Sequence, residues 1–237
     1  MINKLRSSTC FFGVFAVALA FVVSSSCRKN ELDPIKVDFG YAYQPVSLGS
    51  TWIYLVDSIT YDQDFGKADT LVYRVKEEVI SFFVDGQNDT NYMVSRQLQM
   101  DTSKTLFTFN RNYSIKLTKT RYEINDSSVR KIKLIFPPTL YQYWDANAFN
   151  QLSVDEYQII EQKAFETVNG IAYDSTIHVL VRDELNVIKK DYALEIYAKN
   201  KGMIRREIVQ YVDKDANPTT NKKKGRTVTM ILESYVK

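Results

Sequence analysis

Apolar and polar residues alternate along this chain with a period of two over long stretches. From Ile171 to Val181 the odd positions carry Ile171, Tyr173, Ile177, Val179 and Val181, and the even ones Asp174, Thr176 and His178. Tyr192, Leu194, Ile196 and Ala198 alternate in the same way, as do Val228, Met230 and Leu232. Successive side chains of a strand point to opposite faces, so the pattern predicts strands with one buried and one wet face. Tyr, Phe, Val, Ile and Thr dominate these runs, and they suit a pleated, half-buried surface. Strands are expected near 51–61, 69–84, 91–100, 105–110, 112–124, 129–136, 156–167, 171–182, 187–199, 203–213 and 226–236.

Turn residues punctuate the strands at 85–89, 125–127, Asn169-Gly170, 200–202 and 217–225. Asn169-Gly170 is the strongest signal, because a two-residue type I′ turn needs φ > 0 at both positions. Strands joined this closely pair antiparallel. The expected fold class is therefore mainly all-β: a large curved antiparallel sheet, or an open or half barrel, of about 10–11 strands that must manage its edges. Helices are short at most, and residues 145–160 are the best place for one. Pro137-Pro138 cannot lie inside a central strand, since neither donates to the ladder. They mark a break between two halves of the sheet. The flanking Phe136, Tyr141, Tyr143 and Trp144 are too aromatic for a linker, and several are expected to pack.

The N-terminus obeys a different pattern. Lys4 and Arg6 precede an apolar run from Phe11 to Val23, then Ser24-Ser25-Ser26-Cys27. A basic start, a short apolar core and small residues before a cut site describe a secretory signal over 1–26. The run is shorter than the roughly 20 residues that cross a bilayer core. Ser24 and Ser26 satisfy the small-x-small rule of ordinary signal cleavage, which leaves Cys27 as a free terminal thiol. The position of the cysteine favours the other outcome, cleavage before a lipid-modified Cys27. Residues 27–40 then read as a lipidated tether, polar and broken by Pro34, and 41–237 as a single antiparallel β domain.

Composition narrows the function. Removing residues 1–26 leaves 211 residues, enough for a real core, and takes the formal net charge from +3 to +1. That balance argues against a nucleic-acid partner. The basic run Lys222-Lys223-Lys224 reads as a solvated hairpin loop. Cys10 lies in the signal and Cys27 at the anchor, so the domain has no thiol for a disulfide, a thiolate metal site or a nucleophile.

Candidate chemistry is sparse. His178, the single histidine, stands opposite the apolar positions of its strand and is expected to face solvent. Neither a Gly-x-Ser-x-Gly elbow nor His-Glu-x-x-His occurs. The pairs Glu77-Glu78 and Asp183-Glu184 occupy adjacent strand positions, which point to opposite faces. Asp213, Asp215 and Asn217 mimic the start of a calcium loop, but Pro218 stands at the glycine position and Lys224 at the twelfth. No catalytic, cofactor-binding or metal residue is expected; lipid attachment at Cys27 is the one assigned site. The 16 tyrosines and 13 phenylalanines either fill the core or line a cavity.

Three stretches carry a resemblance. They are Tyr43-Gln44-Pro45-Val46-Ser47-Leu48-Gly49-Ser50-Thr51-Trp52-Ile53-Tyr54, then Phe136-Pro137-Pro138 with Trp144-Asp145-Ala146-Asn147, and Glu195-Ile196-Tyr197-Ala198 followed by Gly202-Met203-Ile204. Together they resemble a family of uncharacterised cell-envelope lipoproteins of Bacteroidota. The resemblance implies an envelope location, lipidation at Cys27 and no known activity. The expected protein is a lipid-anchored module of the cell envelope, in the outer membrane, that is not an enzyme and binds or supports another envelope component. The alternative is a carrier of an apolar ligand or lipid in an open barrel, an expectation by analogy of fold alone.

Overall fold

The computed structural model describes residues 37–62, 67–213 and 223–237. The signal, Cys27 and the tether up to residue 36 lie outside the described residues. A 3₁₀ turn (Tyr41–Tyr43) leads into β1 (Thr51–Asp62), β2 (Lys67–Val84), β3 (Thr90–Gln99), β4 (Thr108–Leu117), β5 (Arg121–Asp126) and β6 (Val129–Ile135). A second run follows: β7 (Tyr143–Asp145), β8 (Glu156–Val168), β9 (Ile171–Leu185), β10 (Lys189–Ala198), β11 (Gly202–Asp213) and β12 (Lys223–Val236).

All twelve belong to one sheet in the order β6-β5-β4-β3-β2-β1-β12-β11-β10-β9-β8-β7. Within β1–β6 and within β7–β12 each strand pairs antiparallel with its chain neighbour, and one long-range pairing, β1 with β12, joins the two meanders. The prolines therefore sit where the sequence suggested a break, between the two outer edges of the sheet. Because β6 and β7 are consecutive in the chain, the sheet must roll to bring them together.

Backbone and side-chain bonds complete that closure. Ile132 N donates to Ala146 O at 2.9 Å. Trp144 Nε1 donates to Ile132 O at 3.1 Å, and Asn150 Nδ2 to Arg130 O at 2.7 Å. Lys131 reaches Asp155 at 2.8 Å. The result is a nearly closed barrel. Register shifts in the β1–β12, β2–β3, β3–β4, β5–β6, β8–β9, β9–β10 and β10–β11 pairings add the local twist that rolling demands.

Three local expectations need correction. Residues 145–160 form no helix: Asp145 and Asn150 accept bonds from Asn147 N, Leu152 N and Asp155 N at 2.8–3.0 Å. Such local side-chain bonds compete with a helix ladder, and β7 enters instead. The break expected at 111 is a bulge inside β4, where Asn110 is the unpaired residue between Phe109 and Arg111. The actual turn follows Leu117, where Thr118 Oγ1 accepts from Thr120 N and Arg121 N. The turn at Asn169-Gly170 is as expected, with φ of 51° and 74°.

One end of the barrel is plugged. Tyr43 is 2% exposed, and Asn200 N of the β10–β11 hairpin donates to Ala42 O at 2.7 Å. Trp52 Nε1 donates to Lys201 O at 2.7 Å, and its ring stacks on Tyr235 with centroids 5.3 Å apart. Gly202 turns this hairpin at φ +84°, and a Cβ there would stand 3.2 Å from Trp52 Nε1. Gly202→Ala is accordingly expected to lower stability by about 1–2 kcal/mol from the left-handed conformation alone, readable as a lower urea midpoint with unchanged slope.

Candidate functional site

The barrel interior is where the charged residues gather. Residues opposite each other on paired strands share a face, so Glu77 on β2 and Arg96 on β3 both point inward. Arg96 Nε and Nη2 donate to Glu77 Oε1 at 2.9 and 2.6 Å. Glu78, the next residue, faces the other way and pairs with Lys76 at 2.7 Å. The adjacent-carboxylate reading holds, and it leaves a single acid inside.

A second cluster crosses the barrel. Lys133 Nζ meets Glu195 Oε1 at 2.6 Å, with side chains only 8% and 1% exposed. Tyr197 Oη donates to Glu195 Oε2 at 2.7 Å. Arg206, opposite Glu195 on β11, brings Nε to 3.2 Å of the same carboxylate. Burial by itself would push the Glu195 carboxyl up, but Lys133, Arg206 and the two hydrogen bonds outweigh it and hold the pKa at about 2. Lys133 shifts downward, because burial penalises its charge more than Glu195 compensates, and Arg206 repels it. Two cations compete for one carboxylate, so both directions follow from one arrangement. Burial also raises the phenols of Tyr54, Tyr113 and Tyr197, with Glu77 or Glu195 adding to it, so all three stay protonated at neutral pH.

Around these groups lies a cavity of about 280 Å³, bounded by Trp52 and Gln44 at the plugged end and Gln210 and Arg226 at the other. Arg96, Arg206, Ile208, Arg226 and Met230 also line a second cavity of about 500 Å³, which continues towards the end of the barrel away from the 3₁₀ turn. Lys131, Lys133 and Arg182 add to the positive lining of the first, and Glu77 and Glu195 are its carboxylates. Apolar surface is interleaved: Ile115, Ile124, Val181 and Met203 alternate with the rings of Tyr122 and Tyr157.

His178 is not part of this site. It lies on the outer face, yet is 6% exposed rather than solvated. The register of β8 shifts three times beside it, and Glu161 and Glu166 stand 3.5 and 3.2 Å from its two ring nitrogens. Glu184 pairs with Lys189 at 2.6 Å. Lys223 begins β12 and lies 4.7 Å over the Tyr211 ring, so this part of the basic run is strand rather than loop. Asp215, Asn217 and Lys222 lie outside the described residues, as does Cys27. Among the described residues no cluster of three or more His, Cys, Asp or Glu has metal-ligand geometry.

The interior charges had a signal in the sequence. Glu77 sits between Val75 and Val79, Arg96 between Val94 and Leu98, and Arg206 between Ile204 and Ile208. Each is a charge in an apolar strand register. On β10 the parity inverts: the even residues Tyr192, Leu194 and Ile196 face outward, and Ala193, Glu195 and Tyr197 line the cavity. Ile196 stays 2% exposed because it lies beside the covered His178.

Fold and interior define a twelve-stranded antiparallel barrel, nearly closed, around a cation-rich cavity. No protein-family model matches the chain, and no curated protein matches it. Among solved structures it is similar to a candidate exported protein with a YmcC-like fold from Bacteroides fragilis, at 12% identity and TM-score 0.41, over 81% of this chain and 98% of that one. It is also similar to a candidate lipoprotein from Parabacteroides distasonis, at 12% identity and TM-score 0.39, over 82% and 98%. At such identity the site has to be read from this chain's own residues.

Proposed function

We propose that this protein is a non-enzymatic binding module of the cell envelope, tethered through a lipid on Cys27, that takes a small ligand into its barrel. The observation that carries the reading is the central cavity, with charged and phenolic groups interleaved with apolar ones. Ligand sites are concave and set placed polar groups among apolar ones; this interior does so with a large charged share, six cations and two carboxylates in its lining. A filled core would have favoured a purely structural module. A carrier of a wholly apolar ligand is the weaker reading. Seating an alkyl chain against Glu77, Arg96 and Arg206 would strip these groups of water without replacing its hydrogen bonds.

The test is native mass spectrometry of the full chain extracted from its own membranes. A mass excess beyond the acylated polypeptide, lost on denaturation, supports ligand uptake; a ligand-free mass in every preparation overturns it. Anchoring is tested separately. Cys27→Ser is expected to move the protein from the membrane pellet to the soluble fraction, since several acyl chains contribute roughly 0.8 kcal/mol per buried CH₂. A variant that still pellets with the membrane sinks the anchor.

A further inference from the structure

The cations that line the first cavity differ in how fully they are partnered. Arg96 is held by Glu77 at 2.6 Å, Lys131 by Asp155 at 2.8 Å, Arg182 by Asp191 at 3.2 Å and Lys133 by Glu195 at 2.6 Å. Four carboxylates are thereby matched to four cations. Arg206 and Arg226 are left over. Arg206 has only a share of Glu195, already committed to Lys133 and Tyr197, and its buried Nε has no hydrogen-bond partner. Arg226 has no ion-pair partner among the described residues, and it lies directly across from Gln210 on the inner face of β12.

These two arginines occupy a particular place. Both line the deep cavity and also the one beyond it, so they stand where the two meet. On the same inner face Ile208 and Val228 lie between them, and Met230 is directly across from Arg206. Arg206 is half-buried, where a cation without an acid of its own is costly, whereas Arg226 is exposed. The planar guanidinium fork of each matches carboxylate or phosphate oxygens. The same surface offers apolar side chains within reach of that fork.

We propose that the ligand is a small anionic amphiphile. Its carboxylate or phosphate is held by Arg206 and Arg226, and its apolar part lies along Ile208, Val228 and Met230. The inference rests on the barrel being a ligand-binding module and adds the class of ligand. The acid completes the charge balance that the protein leaves open, and the arginines discriminate against neutral molecules of the same shape.

The experiment titrates the full chain, in non-ionic detergent, with octyl phosphate, octanol and inorganic phosphate, following Trp52 fluorescence in a Trp144→Phe background together with thermal stability. Octyl phosphate is expected to bind at least tenfold more tightly than octanol, the difference of about one charge-assisted hydrogen bond. Arg226→Gln, at an exposed position that folding tolerates, and the double variant with Arg206→Gln are expected to erase that preference, so that octyl phosphate and octanol bind each variant equally. Equal binding of octyl phosphate and octanol by the unmodified protein would overturn the anionic class and leave the binding module standing. No binding of any probe would count against both. If inorganic phosphate binds as tightly as octyl phosphate, the anion site stands and the amphiphile falls. Arg226→Lys, which keeps the charge, is expected to retain the preference in part; full retention by Arg226→Gln would remove Arg226 from the site.

Discussion

Glu195→Ala is expected to destabilise the protein by about 3–5 kcal/mol, the usual cost of removing one partner of a buried ion pair. The alanine strands Lys133, whose side chain is 8% exposed, and Arg206 beside it, and leaves the Tyr197 hydroxyl without its acceptor. Among the described residues no other carboxylate pairs with Lys133, and the Tyr157 ring at 5.0 Å compensates only weakly. Replacing both members, as Lys133→Met with Glu195→Leu, removes the stranded charge and is expected to recover much of the loss. Equilibrium urea unfolding measures both. A cost under about 1 kcal/mol for the single variant would mean that the interior is wet enough to solvate a bare lysine.

The same carboxylate sets an acid limit. Its folded pKa of about 2 lies below the value of about 4.3 for an unfolded glutamate. A depressed carboxyl contributes stability that is full above the unfolded value and is lost as pH falls through the folded one. The unmodified protein should therefore lose stability between about pH 4 and pH 2 more steeply than Glu195→Gln does. Parallel curves for the two across that window would show that the pair contributes no differential proton binding.

Trp52→Ala is the second large effect, at about 3–5 kcal/mol. Trp52 is 2% exposed, and its removal opens a void between the plugged end and the cavity. It also deprives Lys201 O of its donor and Tyr235 of its stacking partner. Trp52→Phe keeps most of the packing and loses the hydrogen bond, so a cost near 1 kcal/mol is expected. If the two substitutions cost the same, the hydrogen bond rather than the packing holds the hairpin. The alanine variant should also speed amide exchange at residues 199–202 before the rest of the sheet, because the β10–β11 hairpin docks through this ring.

Most of the strands and hairpin turns, the antiparallel pairing and the break at Pro137-Pro138 were legible because they depend on local periodicity and turn chemistry; the turn between β4 and β5 was not. The twist that brings β6 to β7 was not, since it arises from bulges whose positions depend on the partner strand. Asn110 illustrates this: the sequence suggests a strand end there, whereas pairing with β3 makes it a bulge within β4. The site was half legible. Glu77, Arg96 and Arg206 announce themselves as charges in apolar registers, but nothing local says that they face a shared interior.

Alternation along one strand tells which residues share a face, not which face is inside. On β10 the more apolar set turned outward and Glu195 inward, because neutralisation by Lys133, 62 residues away, makes burial of that carboxylate tolerable. The sequence by itself determined an antiparallel sheet and most of its hairpins, since each follows from a few consecutive residues. Only the tertiary structure decided the closure of the barrel, the matching of four acids to four cations, and the two arginines that have no acid of their own among the described residues. Charge balance is summed over residues that meet only when the sheet has rolled.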